Sequence, residues 1–203
     1  MSDAFNVLMV GVGGQGIVLA SDILAEAALA DGLDVKKSEI HGMAVRGGPV
    51  FSHVRFGKKV HAPVISAGEA DVIFALERME VLRWCEWGGP DCTVCYLDET
   101  ILPTGETVYP EGISGEIDRL FSRVVRIDPR GLKQAGISKK AENTALLGSL
   151  STVVPLSLDS LLYALKQRCP KDSIPLNLQA FEKGLELARI AVPERSQEGL
   201  HVE

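Results

Sequence analysis

A glycine-rich stretch near the start of the chain has the spacing of a phosphate-binding turn. Gly11, Gly13 and Gly16 follow the pattern G-x-G-x-x-G, and Gly14 and Gln15 lie within it. Glycine tolerates positive φ and lets a ligand or another backbone approach closely. A helix N-terminus directly behind the turn would offer unpaired N–H groups and a partial positive charge to a phosphate or carboxylate. The same glycines would also suit a tight turn packed against the protein, and both interpretations stay open.

A second group of residues with chemical potential falls between positions 39 and 48. Glu39 lies about where a dinucleotide-binding fold places a carboxylate on the ribose, although an ordinary polar strand end would look the same. His41 could donate a hydrogen bond or shuttle a proton. Arg46 could present its guanidinium to a carboxylate or phosphate of a ligand, or pair with a carboxylate of the protein. Three glycines complete this loop as candidate contacts: Gly42, Gly47 and Gly48.

The hydrophobic pattern predicts the elements that must position these residues. Residues 7–10 form an apolar run typical of a buried parallel strand, and helical spacing follows over residues 17–27. Residues 33–40 predict a second strand, whereas residues 41–49 are too rich in Gly and Pro for a regular element. Open α/β sheets bind ligands beyond the carboxyl ends of their strands. We therefore expect the 41–49 loop to line the site.

Two further residues are candidates for the same region. Glu77 directly follows a predicted strand at 70–76, so it could face a pocket at the carboxyl end of that strand. Equally, it could complement the dipole of the short helix predicted over residues 78–87. Asn143 lies where the predicted helical part of the chain begins, and it enters the candidate set only through the family resemblance described below.

The fold class follows from strands that alternate with helices. Residues 50–56 alternate between two faces, and the 50–60 segment can add an antiparallel edge. From about residue 141 the pattern is helical. We predict an α/β protein: a single three-layer α/β/α Rossmann-like domain over residues 1–192, with a mostly parallel sheet and a helical C-terminal third. Residues 193–203 should form a loose tail.

A C-x-x-C motif formed by Cys92 and Cys95 raises the question of a metal or redox site. A zinc or iron–sulfur site would need a second ligand pair or a run of closely spaced cysteines. Cys85 and Cys169 supply neither spacing. We therefore interpret these cysteines as reduced structural thiols and predict no metal ligands in this chain.

Composition narrows the classes of function. The chain has 203 residues, of which 46% are hydrophobic, so it can bury a substantial core. Its net charge of −6 argues against charge-driven binding to nucleic acid. No apolar run approaches the roughly 18 residues that a membrane span needs. An acidic residue stands where a signal peptide would be basic, so we expect a cytoplasmic protein that binds neither nucleic acid nor membrane.

Two motifs together resemble a known family. Residues 11–17 read Gly-Val-Gly-Gly-Gln-Gly-Ile, and residues 38–57 read Ser-Glu-Ile-His-Gly-Met-Ala-Val-Arg-Gly-Gly-Pro-Val-Phe-Ser-His-Val-Arg-Phe-Gly. With these motifs the chain resembles the gamma subunits or domains of 2-oxoacid:ferredoxin oxidoreductases, and most of all the small beta subunits of the indolepyruvate enzymes. The resemblance covers residues 5–192. Downstream positions also match: Asn143, Leu147, Gly148, Ala180, Phe181 and Gly184.

The resemblance implies a chemistry divided between subunits. A 2-oxo acid, indolepyruvate or another aryl pyruvate, would be oxidatively decarboxylated to an acyl-CoA while ferredoxin is reduced. The chain has neither a ferredoxin cysteine run nor a Gly-Asp-Gly motif followed by Asn-Asn, so we expect thiamine diphosphate, magnesium and iron–sulfur clusters on a large partner subunit. Coenzyme A would be the co-substrate, and ferredoxin would interact through the complex. The isolated chain should bind no cofactor, should be inactive, and could form a homodimer; no catalytic residue is assigned.

Two other functions fit some of the same residues. A free-standing, Rossmann-type NAD-dependent dehydrogenase would use the glycine turn and Glu39, but it leaves the 41–49 loop unexplained. A non-catalytic module could bind a small anion at Arg46. A non-catalytic subunit and a binding module would carry the same residues, so the sequence does not separate them.

Overall fold

A computed structural model describes residues 4–41, 48–102, 105 and 107–191, so the tail predicted at 193–203 lies outside the described residues. The strands are β1 (Ala4–Val12), β2 (Asp34–His41), β3 (Pro49–Gly57), β4 (Ala70–Ala75), β5 (Gly88–Leu97) and β6 (Arg123–Ile127). The α-helices are α1 (Ile17–Ala30), α2 (Arg78–Arg83), α3 (Ile113–Leu120), α4 (Pro129–Gln134), α5 (Glu142–Leu150), α6 (Leu158–Arg168) and α7 (Ile174–Ala191). Short 3₁₀ turns occupy Cys85–Trp87, Lys139–Ala141 and Lys171–Ser173. None of the described helices is both long and apolar enough to cross a membrane.

The six strands form one sheet in the order β2-β3-β1-β4-β5-β6. β1, β4, β5 and β6 run parallel, whereas β3 is antiparallel to both of its neighbours, β1 and β2. The predicted α/β class, with a mostly parallel sheet and an antiparallel edge, is confirmed. The antiparallel strand is not the outermost one, because β3 folds back into the space between β1 and β2.

Both faces of the sheet are covered, which explains the unbroken apolar run in β1. Val7 and Met9 pack into one core with α1, α5, α6 and α7, while Leu8 and Val10 pack into a second core on the opposite face. All four side chains are 0% exposed. A strand buried on both faces has no polar side, so its sequence is continuously hydrophobic.

The start of β5 differs from the sequence expectation. The pattern predicted a helix through residue 87, closed by Gly88-Gly89-Pro90, and a strand from residue 93. Instead β5 begins at Gly88, paired with Ala70, and the register shifts before the next pair. Gly89 comes so close to the backbone of Gly68 that a Cβ would lie 3.2 Å from the Gly68 carbonyl oxygen. A side chain at Gly89 would press against this backbone, so the close approach of the two strands favours a glycine where the sequence suggested a helix end.

Helices α5 and α7 cross with their backbones in contact. A Cβ built on Gly148 would lie 2.0 Å from the carbonyl oxygen of Phe181, and one on Gly184 would lie 1.7 Å from that of Ala145. No side chain fits in either gap. The two glycines therefore set the distance between the helices.

Replacing Gly184 with alanine should destabilise the protein strongly. The added methyl group would collide with backbone, which cannot rotate away, so we expect Gly184→Ala to lower the free energy of unfolding by at least about 2 kcal/mol. The matched control is Gly115→Ala in α3, where a Cβ meets nothing within 4 Å. That change should be neutral or stabilising by about 0.5–1 kcal/mol. Urea denaturation measures both, and equal stability of the two variants would contradict the close crossing.

Candidate functional site

The glycine turn lies at the carboxyl edge of the sheet, between two neighbouring strands. On one side, the Gly13 N–H donates to the carbonyl oxygen of Gly48 at 2.9 Å. On the other side, the Leu76 N–H donates to the carbonyl oxygen of Val10 at 3.0 Å, which holds the end of β4 against β1. His41 ends β2 at the same edge, opposite Val50.

The loop predicted to carry the site ends beside this turn and begins one strand further away, at the end of β2. Gly48 is in contact with the turn, as described above, whereas Gly42, Arg46 and Gly47 lie outside the described residues. The backbone of His41 fixes where the loop leaves β2. The structure therefore places both ends of the loop at the carboxyl edge, where the sequence pattern puts the site.

Two glycines of the turn are required by packing. Gly16 has φ +85°, and a Cβ there would lie 2.4 Å from Nδ2 of Asn143. A Cβ on Gly11 would lie 2.9 Å from Oε1 of Gln15. Gly14 differs: its φ is +98°, and a Cβ would meet nothing within 4 Å. The turn therefore has a side packed on protein and an open side at Gly14, so each of the two interpretations of the motif accounts for part of it.

Gln15 connects the ends of β1 and β4 through its side-chain amide. Oε1 accepts a hydrogen bond from the Val12 N–H at 2.7 Å, and Nε2 donates to the carbonyl oxygen of Leu76 at 2.6 Å. One side chain thus satisfies an N–H at the end of β1 and a carbonyl just past the end of β4. This bridge fixes the position of the turn relative to both strands.

Asn143 holds the turn from the helical layer. It lies in the first turn of α5, is 5% exposed, and donates through Nδ2 to the carbonyl oxygen of Gly16 at 3.2 Å. Its neighbour Thr144 donates from Oγ1 to Oδ1 of Asn177 in α7 at 2.7 Å. The glycine turn is therefore connected through buried polar groups to the C-terminal helix.

Glu77 acts as the N-cap of α2. Its side chain is almost fully buried, and Oε2 accepts from the backbone N–H groups of Met79 at 2.7 Å and Glu80 at 3.1 Å. Oε1 accepts a hydrogen bond from the hydroxyl of Tyr109. The sequence leaves two interpretations of Glu77 open, either a pocket residue or an acidic residue at the start of a helix. Its contacts are those of a residue at the start of a helix.

Next to Glu77 lies a group of side chains that the sequence analysis did not select. The guanidinium of Arg78 stacks 4.7 Å from the ring centre of Tyr109 and contacts Oδ1 of Asp98 at 3.2 Å. Burial raises the pKa of Tyr109, and its hydrogen bond to the Glu77 carboxylate raises it further. Asp98 directly follows β5, so the reasoning that selected Glu77 at a strand end could have found it. Tyr109 gave no comparable signal.

A cleft runs along the ends of β4, β5 and β6. Its volume is about 770 Å³, and it adjoins a second cavity of about 290 Å³ at the open side of the glycine turn. Lys139 lies in both, and its ammonium contacts Oε2 of Glu99 at 2.9 Å. Burial raises the pKa of Glu142, which also lines both cavities. Because charges of both signs line this surface, it is suited to a polar partner or ligand rather than to an apolar molecule.

Glu39 lies away from the glycine turn. It forms an ion pair with Lys37, whose ammonium also contacts Asp22 of α1. β3 separates the strand of Glu39 from β1, whereas a dinucleotide-binding fold places the ribose-binding carboxylate on the strand next to the glycine turn. The topology therefore gives no support to a ribose-binding role for Glu39.

The cysteines of the C-x-x-C motif are buried. Cys92 is 4% exposed and Cys95 is 0% exposed, and both are free thiols. Burial raises the pKa of Cys92 to about 12, and that of Cys95 also lies well above its usual range. Thiols held protonated in this way are poor nucleophiles and poor metal ligands. Within the described part of the chain, no group of three or more His, Cys, Asp or Glu side chains is placed to hold a metal ion.

The fold and this edge define an α/β domain in which a glycine turn, an inserted antiparallel strand and a charged cleft lie together. The model of the family described as pyruvate ferredoxin/flavodoxin oxidoreductase matches residues 6–187. The chain belongs to this family, and the family membership indicated by the two motifs is confirmed.

Individual relatives agree with this assignment. The chain is 36% identical over 187 residues to indolepyruvate oxidoreductase subunit IorB of Archaeoglobus fulgidus, a match covering 88% of this chain and 92% of the relative. The gamma subunit of a keto/oxoacid ferredoxin oxidoreductase from Geobacter sulfurreducens has the same fold, with a TM-score of 0.70, 23% identity, and coverage of 94% and 99%. The 2-oxoglutarate:ferredoxin oxidoreductase of Magnetococcus marinus also contains this fold, with a TM-score of 0.72 and 22% identity; the match covers 97% of this chain but only 33% of that one.

The bridge formed by Gln15 can be tested with the variant Gln15→Glu. A glutamate keeps the shape but has no N–H for the Leu76 carbonyl, so we expect a loss of about 1–3 kcal/mol in unfolding free energy at pH 7. The folded-state pKa of this carboxyl should be raised, since only the protonated form can donate to that carbonyl. The deficit relative to wild type should therefore shrink as the pH falls toward about 4.

The matched control for this experiment is Gln179→Glu, on the exposed face of α7. It makes the same chemical change without a buried partner, so its effect should stay within about 0.5 kcal/mol. Chemical denaturation between pH 7 and pH 4 measures both variants. A pH-independent loss, or equal effects at both positions, would mean that the Gln15 bridge does not stabilise the turn.

Proposed function

We propose that this chain is the small subunit of a 2-oxoacid:ferredoxin oxidoreductase that acts on indolepyruvate or another aryl pyruvate. The reaction would be the oxidative decarboxylation of the 2-oxo acid to an acyl-CoA, with electrons passing to ferredoxin. The observation that carries the proposal is the match to a whole small subunit: 92% of the Archaeoglobus indolepyruvate subunit is covered, so the similarity is not confined to one motif.

The division of labour rests on what this chain offers a cofactor. Its motif cysteines are buried and protonated, and the described residues supply no metal-binding group. We therefore assign thiamine diphosphate, magnesium and the iron–sulfur clusters to a large partner subunit, with coenzyme A as co-substrate. When bound there, these groups would supply the decarboxylation and the electron transfer.

The contribution of this chain would be to complete the site with its carboxyl edge. The open side of the glycine turn, the end of β2, the start of β3 and the charged cleft lie along one edge of the sheet. Residues that Gln15 and Asn143 hold in place can meet a partner without first being ordered, which lowers the entropic cost of assembly.

The topology of the sheet does not support the alternative of an NAD-dependent dehydrogenase. It needed Glu39 on the strand beside the glycine turn, and β3 occupies that position. The anion-binding alternative is compatible with the cleft, and measuring turnover distinguishes it from the subunit role.

Reconstitution with the large subunit tests the proposed function. The two chains are co-purified, and reduction of ferredoxin is followed with coenzyme A and a panel of 2-oxo acids: indolepyruvate, phenylpyruvate, pyruvate and 2-oxoglutarate. We expect the complex to be active and the isolated chain to be inactive, and the activity of the complex should be highest with an aryl pyruvate. Turnover by the isolated chain, or a complex that oxidises none of these acids, would contradict the proposal. A preference for pyruvate would keep the subunit role and reject the substrate.

Arg46, which lies outside the described residues, remains the residue on which we predict assembly or turnover to depend. If its guanidinium pairs with a carboxylate or phosphate across the subunit interface, Arg46→Ala leaves that group unpaired, and binding or activity should fall at least about tenfold. Arg46→Lys should keep only part of the wild-type binding or activity, because an ammonium cannot form the two parallel hydrogen bonds of a guanidinium.

The control for Arg46 is Arg119→Ala. The side chain of Arg119 is 68% exposed and pairs with Glu116 within α3. Its removal should therefore change the free energy of binding to the large subunit by less than about 1 kcal/mol. Titration of the large subunit with each variant, followed by the ferredoxin assay, gives both affinity and turnover. If Arg46→Ala and Arg119→Ala behave alike in both, Arg46 is an ordinary surface residue.

A further inference from the structure

In the part of the chain that the structure describes, one side of the sheet ends in a strand with no further strand beside it. β2 is the first strand in the sheet order, and among the described residues it pairs with β3 alone. Its outer edge presents the backbone N–H and C=O groups that point away from β3. We propose that a second copy of this chain pairs with it along β2, antiparallel, with Ser38 on the two-fold axis, so that the two sheets become one. The inference does not depend on the catalytic role proposed above.

The two edges of the sheet are built differently. β6, the opposite edge, is five residues long and carries Arg123 and Arg126. A short edge strand with charged side chains is a common protection against edge pairing. β2 is eight residues long, Asp-Val-Lys-Lys-Ser-Glu-Ile-His, with no glycine or proline. Only β2 therefore combines the length and the mixed charge that self-pairing requires.

The sequence of β2 selects one register for this pairing. A two-fold axis perpendicular to the sheet keeps the faces of both copies on the same sides, so the residue on the axis lies opposite itself. An axis at Lys37 would oppose two lysines, and an axis at Glu39 would oppose two glutamates. Placing the axis at Ser38 opposes two small neutral side chains and lets residues 35–41 of each copy pair.

That register also makes opposite charges face each other. Lys37 of one copy lies directly opposite Glu39 of the second copy, and the symmetry creates this pair twice. Both residues are on the face of the sheet that carries α1, where Lys37 already contacts Asp22 and Glu39 in its own chain. An ammonium has three N–H donors, so Lys37 can keep Asp22 while it contacts the second Glu39.

The opposite face of β2 is complementary as well. Ile40 lies at the edge and is 46% exposed. Its cross-strand neighbour Phe51 is covered instead, because it packs on Trp84 with 4.3 Å between the ring centres. In the proposed register, Ile40 lies opposite Lys36 of the second copy. The aliphatic part of the lysine can cover the isoleucine while its ammonium reaches water, so the exposed apolar surface becomes covered.

Charge reversal tests the pairing in the full chain. Lys37→Glu opposes two glutamates, and Glu39→Lys opposes two lysines, so each variant alone should dimerise at least about tenfold more weakly than wild type. Mixing the two variants makes both cross-strand pairs attractive again. The mixture should therefore form heterodimers with nearly wild-type affinity, as measured by analytical ultracentrifugation of one labelled variant titrated with the other.

The matched control is Lys133→Glu, which makes the same charge change in α4, the helix that follows the opposite edge strand β6. It should weaken the dimer by less than about threefold, because a charge far from β2 is largely screened. Circular dichroism establishes that each variant is folded. A wild-type chain that stays monomeric at about 100 μM, or single variants that dimerise like wild type, would overturn the proposal, and so would a mixture that fails to recover.

Cross-linking tests the register independently. Residues opposite each other on adjacent strands bring their Cβ atoms close enough for a disulfide, so Ser38→Cys should form a covalent dimer under mild oxidation. Lys36→Cys should not, because its symmetry mate lies about four residues further along the partner strand, roughly 13 Å away. Cross-linking of the wild-type cysteines gives the background. Equal yields for the two variants would show that the copies do not meet in this register.

Discussion

The arrangement at the carboxyl edge depends on the side-chain amide of Gln15. Its two hydrogen bonds join the end of β1 to the residue that follows β4, and these two strands lie at the centre of the sheet. Gly11 leaves room for that amide, and Gly16 leaves room for the amide of Asn143. A motif that looks like a ligand cradle in the sequence is therefore also the point at which the central strands and the helical layer are joined.

The insertion of β3 separates this domain from an ordinary dinucleotide-binding fold. In such a fold, the strand after the first helix lies directly beside the first strand. Here the chain crosses over through α1, forms β2 at the edge, and returns through β3 to the place beside β1. The consequence is that the end of β2 and the start of β3 both lie at the carboxyl edge, where Gly48 contacts the glycine turn. The glycine turn and the described part of the second motif therefore share one edge of the sheet.

Much of the fold could be predicted from the sequence because burial leaves a direct trace in it. The apolar runs within β1 and β4 and the helical pattern of α5, α6 and α7 correspond to elements of the structure. The order of the strands left no such trace, because the period-two pattern of β3 does not say which neighbour it will pair with. The early start of β5 was missed since Gly88 and Gly89 have the composition of a helix end, while their actual requirement is a close backbone neighbour.

The part of the candidate site that could be predicted from the sequence is the part formed by residues close together in the chain. The glycines and Gln15 stand in one short segment, so their proximity needed no knowledge of the fold. The contact between Arg78, Tyr109 and Asp98 joins residues far apart in the chain, and only the tertiary structure brings them together. Ion pairing of Glu39 with Lys37 was likewise hidden, because alternation along a strand places those two side chains on the same face without saying what else is there.

The backbone contact between α5 and α7 has a mechanical consequence. With no side chains between them at Gly148 and Gly184, the two helices cannot slide or rotate past each other as helices separated by flexible side chains can. We therefore expect the two helices to move as one stiff body, together with Asn143 at the start of α5. A displacement of α7 would then also shift the amide that holds the carbonyl of Gly16.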